Sequence, residues 1–198
     1  MRSPYNFIIS PIGDQYSNTK NIGGVEVTFN TSLDLAKYVN RVGVVIELPT
    51  YYKGNIKVGD VVVVHHNIFR TYHDMKGRQT KSPEFFRDDL YIVSPDRVYL
   101  YKSNGIWRSN LNYCFVKPIA RIQNELLHST DKEEKHVGVV VYPSSNQEDN
   151  LNLKSGSFVA FTKNSEYEFE VDGEKIYRMY DRDVVIELNE LWNTITHN

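Results

Sequence analysis

The side chains best equipped for chemistry in this chain are its histidines, its one cysteine and a run of carboxylates. His65 and His66 are adjacent, with His73 beyond, a grouping that invites a metal ion. Successive strand residues point to opposite faces, so the adjacent pair cannot chelate one ion unless the strand has ended before it. No cysteine or second histidine pair is placed to complete a tetrahedral set. The expectation is therefore polar histidines at a strand end and no metal site. Cys114 lies between Tyr113 and Phe115, with no histidine-containing catalytic motif beside it. It reads as a small apolar filler. Glu166, Glu168, Glu170 and Asp172 alternate with Tyr167, Phe169 and Val171. That alternation marks a strand with one wet face, turning at Asp172-Gly173, and nothing in it builds a pocket that would shift a carboxyl pKa. Lys132-Glu133-Glu134-Lys135 is most simply a solvated loop. Catalysis finds no footing in these groups, and neither a catalytic residue nor a cofactor is expected.

Binding chemistry has two candidate stretches. Phe69-Arg70, Tyr72, Lys76, Arg78, Lys81 and Phe85-Phe86-Arg87 mix aromatic and basic residues, the combination that stacks on and neutralises single-stranded nucleic acid. Glu84, Asp88 and Asp89 dilute that charge, which favours a surface segment pinned by Phe85 and Phe86, or a subunit contact rich in aromatics and arginine. The second stretch, residues 14–36, is long and polar and holds Gly23-Gly24 between Ile22 and Val25-Glu26-Val27. Either the glycine pair is a hairpin turn or it lends freedom to a docking segment.

Bulk properties narrow the field. With 198 residues there is room for one large domain or two small ones, and a formal charge of -2 argues against wholesale binding to nucleic acid or an anionic membrane. One cysteine excludes an internal disulfide and fits a reducing compartment. No stretch approaches the ~20 apolar residues of a membrane span, and Met1 to Asn6 does not resemble a secretory signal. The expectation is a soluble, cytoplasmic protein.

The elements that must position these residues have the periodicity of strands. Val61 to Val64, Val42 to Leu48 and Val137 to Tyr142 are short β-branched runs bounded by Gly, Pro, Asn and Asp. Asn104-Gly105 is a hairpin signal, because a type I′ turn needs positive φ at both central residues. Ser82-Pro83-Glu84 suggests a brief helical turn capped by Ser82, and residues 189–196 a short helix. Segments 14–36, 69–89 and 122–135 read as loops, long enough to be functional. The chain is all-β.

The chain also reads as one module written twice. Asn6 to Ile12 is echoed by Tyr113 to Ile119, and Arg41 to Val45 by His136 to Val140. Lys57-Val58-Gly59-Asp60 and its valine run match Lys154-Ser155-Gly156-Ser157 with Phe158 to Phe161, and Tyr91 to Leu100 answers Tyr177 to Ile186. Two copies in the same order indicate a duplicated domain rather than a solenoid.

Each copy runs as a strand ending in Pro, a long loop, a Val-Gly-Val-Val strand, a Lys-x-Gly-x turn feeding an apolar strand, and a closing strand pair. This order resembles the GroES-type co-chaperonins (the chaperonin-10 family), including versions that tailed bacteriophages encode. The resemblance implies two tandem GroES-like, partly open β-barrels with long loops, 1–108 and 109–198, joined near Ser103 to Asn112. It implies a chaperone function without enzymatic activity: a lid that self-associates into a ring and binds a GroEL-like chaperonin ring in an ATP-dependent complex. Family members dock through a mobile loop in which Gly-Gly precedes an apolar tripeptide. Here Ile22, Gly23, Gly24, Val25, Glu26 and Val27 match that motif, with Glu26 where the family has an apolar residue. Val25 and Val27 would face one way from an extended peptide and Glu26 the other. The second copy's loop lacks Gly-Gly, leaving Leu126-Leu127 as a weak substitute, and the roof segments Thr50 to Asn55 and Ser144 to Asn152 are short. Medium-chain alcohol dehydrogenases carry similar barrels, but the Gly-x-Gly-x-x-Gly turn their second domain needs is absent. The rival reading is a structural or assembly protein, viral in origin, that kept the barrels without chaperonin docking.

Overall fold

The computed structural model describes residues 2–13, 19–22, 25–28, 39–73, 75–120 and 133–188, with the backbone alone at 19–22, 25–28 and 73. The chain divides into two units, Met1–Trp107 and Arg108–Asn198. The first holds β1 (Phe7–Pro11), β2 (Thr19–Ile22), β3 (Val25–Thr28), β4 (Val42–Glu47), β5 (Val61–Val64), β6 (Thr71–His73), β7 (Gln79–Lys81), β8 (Phe85–Arg87), β9 (Leu90–Val93) and β10 (Val98–Ser103). Then β11 (Ile106–Ser109) runs across the boundary. The second holds β12 (Tyr113–Ala120), β13 (Glu133–Tyr142), α1 (Ser145–Leu151), β14 (Phe158–Phe161), β15 (Tyr167–Val171), β16 (Glu174–Tyr180) and β17 (Val184–Leu188). The protein is all-β apart from this one helix among the described residues, and its strand pairs are antiparallel.

The larger sheet has the order β11-β10-β5-β4-β1-β9-β8, and the six-stranded sheet β15-β16-β12-β13-β14-β17. Read from β10, the first becomes β10-β5-β4-β1-β9-β8; read backward, the second becomes β17-β14-β13-β12-β16-β15. The strands that echo one another in sequence hold the same places. Their registers agree too: Pro11 opposes Gly43 as Pro118 opposes Gly138, and Ile9 opposes Tyr91 as Val116 opposes Tyr177. Even the irregularities recur. The register slips between Ile8 and Ile9 and between Phe115 and Val116, and again between Val98 and Leu100 and between Ala160 and Phe161. Bulges of this kind bend a strand and increase its twist.

The Lys-x-Gly-x turns are the same structure twice. Gly59 (φ 90°) and Gly156 (φ 96°) occupy the left-handed region that suits glycine. Gly59 N donates to Val45 O and Gly156 N to Val140 O, both at 2.8 Å. The last residue of each turn closes it, Asp60 Oδ2 accepting from Lys57 N at 2.8 Å and Ser157 Oγ from Lys154 N at 3.3 Å.

Each unit has a core cluster. Phe7, Ile9, Val45, Ile56, Val62, Val64, Phe69, Tyr91 and Val93 pack together in the first. Cys114, Val116, Val140, Leu153, Val159, Phe161 and Met179 do so in the second. Apart from Ile56, Phe69 and Leu153, which lie outside the strands, these are alternate, inward strand positions. Among the described residues, hydrogen bonding leaves β8 and β11 as the edges of the larger sheet, and β15 and β17 as those of the other.

Turn chemistry is where local sequence acts most directly. Asn104 (φ 53°) with Gly105 (φ 81°), and Asp172 (φ 50°) with Gly173 (φ 80°), supply the paired positive φ values of tight hairpins.

Four sequence expectations need correction. Segment 14–36 is not all loop: β2 and β3 pair, Ile22 with Val25 through Thr19 with Thr28, the two residues between them being the length of a tight hairpin. Segment 69–89 is not loop either: β6 pairs with β7, and β8 joins the sheet beside β9. Ser82 caps no helix; its Oγ donates to Ile68 O at 2.5 Å, while Phe85 N donates to Ser82 O at 3.0 Å and turns the chain into β8. Residues 145–151, read as part of a short loop, form α1. The helix expected at 189–196 and the Leu126-Leu127 pair lie outside the described residues.

Candidate docking hairpin and its surroundings

The candidate docking motif sits at the closed end of the β2–β3 ladder. Its register is Thr19↔Thr28, Lys20↔Val27, Asn21↔Glu26 and Ile22↔Val25. Strand alternation therefore places positions 20, 22, 25 and 27 on one side of the ladder and positions 19, 21, 26 and 28 on the other. Gly23 and Gly24, which separate the strands, lie outside the described residues. Among the described residues the ladder is a two-stranded sheet of its own, with no hydrogen-bonded neighbour in the seven-stranded sheet.

What fixes the base of this segment is a clasp invisible to motif reading. Ile12 N donates to Val42 O at 3.0 Å, Asn40 Nδ2 donates to Ile12 O at 2.6 Å, and Asn40 Oδ1 accepts from Val42 N at 2.8 Å. One asparagine side chain thus ties the exit of the segment to its entrance, 28 residues away. Val39, just before it, is buried. Closing a loop of this length has an entropic cost that grows only slowly with length, so a few good bonds at the base can hold it.

The second unit closes the same place differently. Ala120 pairs with Glu133 where β12 and β13 extend past the glycine, and residues 121–132 lie outside the described residues. Glu133 accepts from Tyr177 Oη and, at 2.9 Å, from Lys175 Nζ. Burial alone would raise the Glu133 pKa, but these two donors outweigh it and hold the carboxyl below its ordinary value. Burial likewise opposes the charge on Lys175, while its bonds to Glu133, Tyr177 and Glu168 raise its pKa. Lys132-Glu133-Glu134-Lys135 is therefore not simply a solvated loop; from Glu133 onward it is β13, tethered by an ion pair.

The remaining candidates are structural in their surroundings. β5 ends at Val64, so His65 and His66 stand in the following turn, their rings stacked 4.1 Å apart. His65 Nδ1 accepts from Asn67 N at 3.1 Å. Burial, reinforced by His65, Arg41 and Arg70, lowers the His66 pKa to about 4. Among the described residues no three His, Cys, Asp or Glu side chains are grouped to hold a metal ion. Cys114 is fully buried, and burial pushes its pKa up to about 12 against an opposing hydrogen bond from Gln147; such a thiol is a poor nucleophile.

Phe69, where the insertion begins, is buried in the core, and of Phe85 and Phe86 only the first anchors. Phe85 packs edge-on to Tyr91, centroids 5.5 Å apart, with Lys81 Nζ 4.4 Å from its ring. Phe86, expected to anchor too, is 47% exposed beneath the Arg87 guanidinium. Strand alternation dictates the split. The segment that would form a roof in the first unit folds back, Tyr52 meeting Phe7 edge-on at 4.9 Å, while Tyr51 stacks on Tyr5 in solvent.

No protein-family model matches the chain, and no curated protein is significantly similar to it.

Proposed function

We propose that the protein is a co-chaperonin-like lid: a non-enzymatic partner that docks on a chaperonin ring through the β2–β3 hairpin and encloses a folding client. The observation that carries this reading is the hairpin itself, a ladder separate from the main sheet among the described residues that carries the Ile22 to Val27 motif, in a segment whose ends Asn40 ties together. Its register supports the division of labour that the Glu26 departure requires. Apolar positions 22, 25 and 27 share one side of the ladder with Lys20, and position 26 lies on the opposite side. A hairpin also lowers the ordering cost of docking, which for a free segment is roughly 1–2 kcal/mol per residue. One such contact is weak, and a ring presenting several at once converts later contacts into intramolecular ones. Self-association into a ring therefore belongs to the proposal, as does action in the cytoplasm, that of the host if the chain is phage-encoded.

The alternative, a structural or assembly protein built on the same units, is favoured by one specific observation. The position of the second roof is filled by α1, whose capping box and buried Gln147 make it a fixed element. Sedimentation of the protein with a purified chaperonin ring, with and without ATP, separates the two. Nucleotide-dependent co-sedimentation supports the lid; migration as a free species under both conditions leaves the assembly reading.

A further inference from the structure

We propose that the Tyr5–Tyr51 pair is a stacking platform for the bases of single-stranded nucleic acid, with Arg2 and Lys53 taking its phosphates. The two rings are parallel to within 6°, their centroids 5.9 Å apart, an offset stack. They are 69% and 74% exposed, so the pair faces water and not the core. The backbone beneath it is fixed. Thr50, next to Tyr51, donates to Ser3 O from its N at 2.9 Å and from its Oγ1 at 3.0 Å. Asn6 N, next to Tyr5, donates to the Oγ of the same buried serine at 3.3 Å. Beyond Tyr51, Tyr52 N donates to Pro49 O at 2.9 Å and its ring packs on Phe7. A site whose geometry exists before its ligand arrives spares the cost of ordering it.

The fold does not ask for these rings. In the second unit Asn112 stands at the position of Tyr5, and the connection that follows β13 holds α1, which has no aromatic residue, where the connection after β4 holds Tyr51. The charges around the rings say what they suit. Residues 2–6 and 49–55 contain Arg2 and Lys53, both exposed, and no Asp or Glu, in a chain whose formal charge is -2. Arg2 Nε donates to Thr50 Oγ1 at 3.4 Å, which brings its guanidinium to the segment that carries Tyr51. Stacked rings flanked by cations suit a flat ring that carries negative charge. A single strand of nucleic acid repeats that combination with its base faces open, whereas the bases of a duplex already cover one another. A neutral sugar can lie on a tyrosine ring but gives the two cations nothing to neutralise.

Fluorescence anisotropy of a labelled oligothymidylate at low salt tests the site in the full chain. The parent should bind, and Tyr5→Ala/Tyr51→Ala should bind at least about tenfold more weakly, because stacked bases are lost with the rings. Tyr5→Phe/Tyr51→Phe keeps the rings without their hydroxyls and should bind like the parent. Arg2→Gln/Lys53→Gln should flatten the salt dependence, lowering the slope of log K against log salt by about 1.4 for two lost phosphate contacts. Four results would each overturn the proposal: a parent that does not bind, equal binding by the double-alanine variant, loss of binding by the phenylalanine variant, or an unchanged salt slope. Displacement of the oligonucleotide by a neutral oligosaccharide would give the rings to carbohydrate and overturn it as well.

Discussion

Gly43 and Gly138 show most closely how alike the two units are. A Cβ on Gly43 would lie 2.6 Å from Ile9 Cγ2 and 2.8 Å from Ser10 O; one on Gly138 would meet Val116 and lie 2.7 Å from Lys117 O. Neither glycine has positive φ, so the constraint is the close approach of the neighbouring strand, not backbone conformation. Gly43→Ala and Gly138→Ala should each lower stability by about 1–3 kcal/mol, seen as a reduced midpoint in urea. A second residue-scale expectation concerns pH. The His66 pKa falls from 6.5 to about 4 on folding, so between these values the unfolded chain binds more protons. Stability should then rise as pH increases from about 4 to 6.5 and level off above it, as far as this group is concerned. His66→Asn should remove that part of the pH dependence, so that the difference in melting temperature between parent and variant changes between about pH 4 and 6.5 and is constant above it. Cys114 should resist a thiol reagent in the folded protein and react once it is unfolded, because burial holds its thiol protonated.

At the scale of elements, what could be read in advance follows how local the determining interaction is. The strands of the repeated motifs and the Asn104-Gly105 and Asp172-Gly173 turns were legible because β-branched runs and positive-φ pairs act within a few residues. Helix α1 was missed although Pro143-Ser144-x-x-Gln147 spells a capping box. A seven-residue helix is too short for its periodicity to show, and it stands only with outside help. That help is visible in Gln147, whose Oε1 accepts from Ser144 N at 3.0 Å while Nε2 donates to Asp181 O at 3.2 Å. Gln147→Ala leaves both partners unpaired in a buried place and should cost about 1–3 kcal/mol in chemical denaturation, whereas Asn150→Ala, on the exposed side, should change little. β2, β3, β6 and β7 were hidden for a different reason: their pairing is dictated by short connections, and their polar residues carry no alternation. The Asn40 clasp was illegible because its partner is remote in sequence.

For the whole molecule, strand order, register, bulges and turns correspond between the two units among the described residues. The units also differ. The first has the clasped hairpin and the 69–89 insertion; the second has α1 and an ion-paired loop base. No helix among the described residues is long and apolar enough to cross a membrane. A ring-shaped lid predicts an oligomer by native mass spectrometry at micromolar concentration, and a monomer alone would count against it. The most direct test is a pull-down on an immobilised chaperonin ring with ATP, comparing the chain with its Val25→Ser/Val27→Ser variant. The lid reading predicts ATP-dependent capture of the parent and loss of capture by the variant at an unchanged melting temperature. Failure to capture the parent, or equal capture of both, would contradict it.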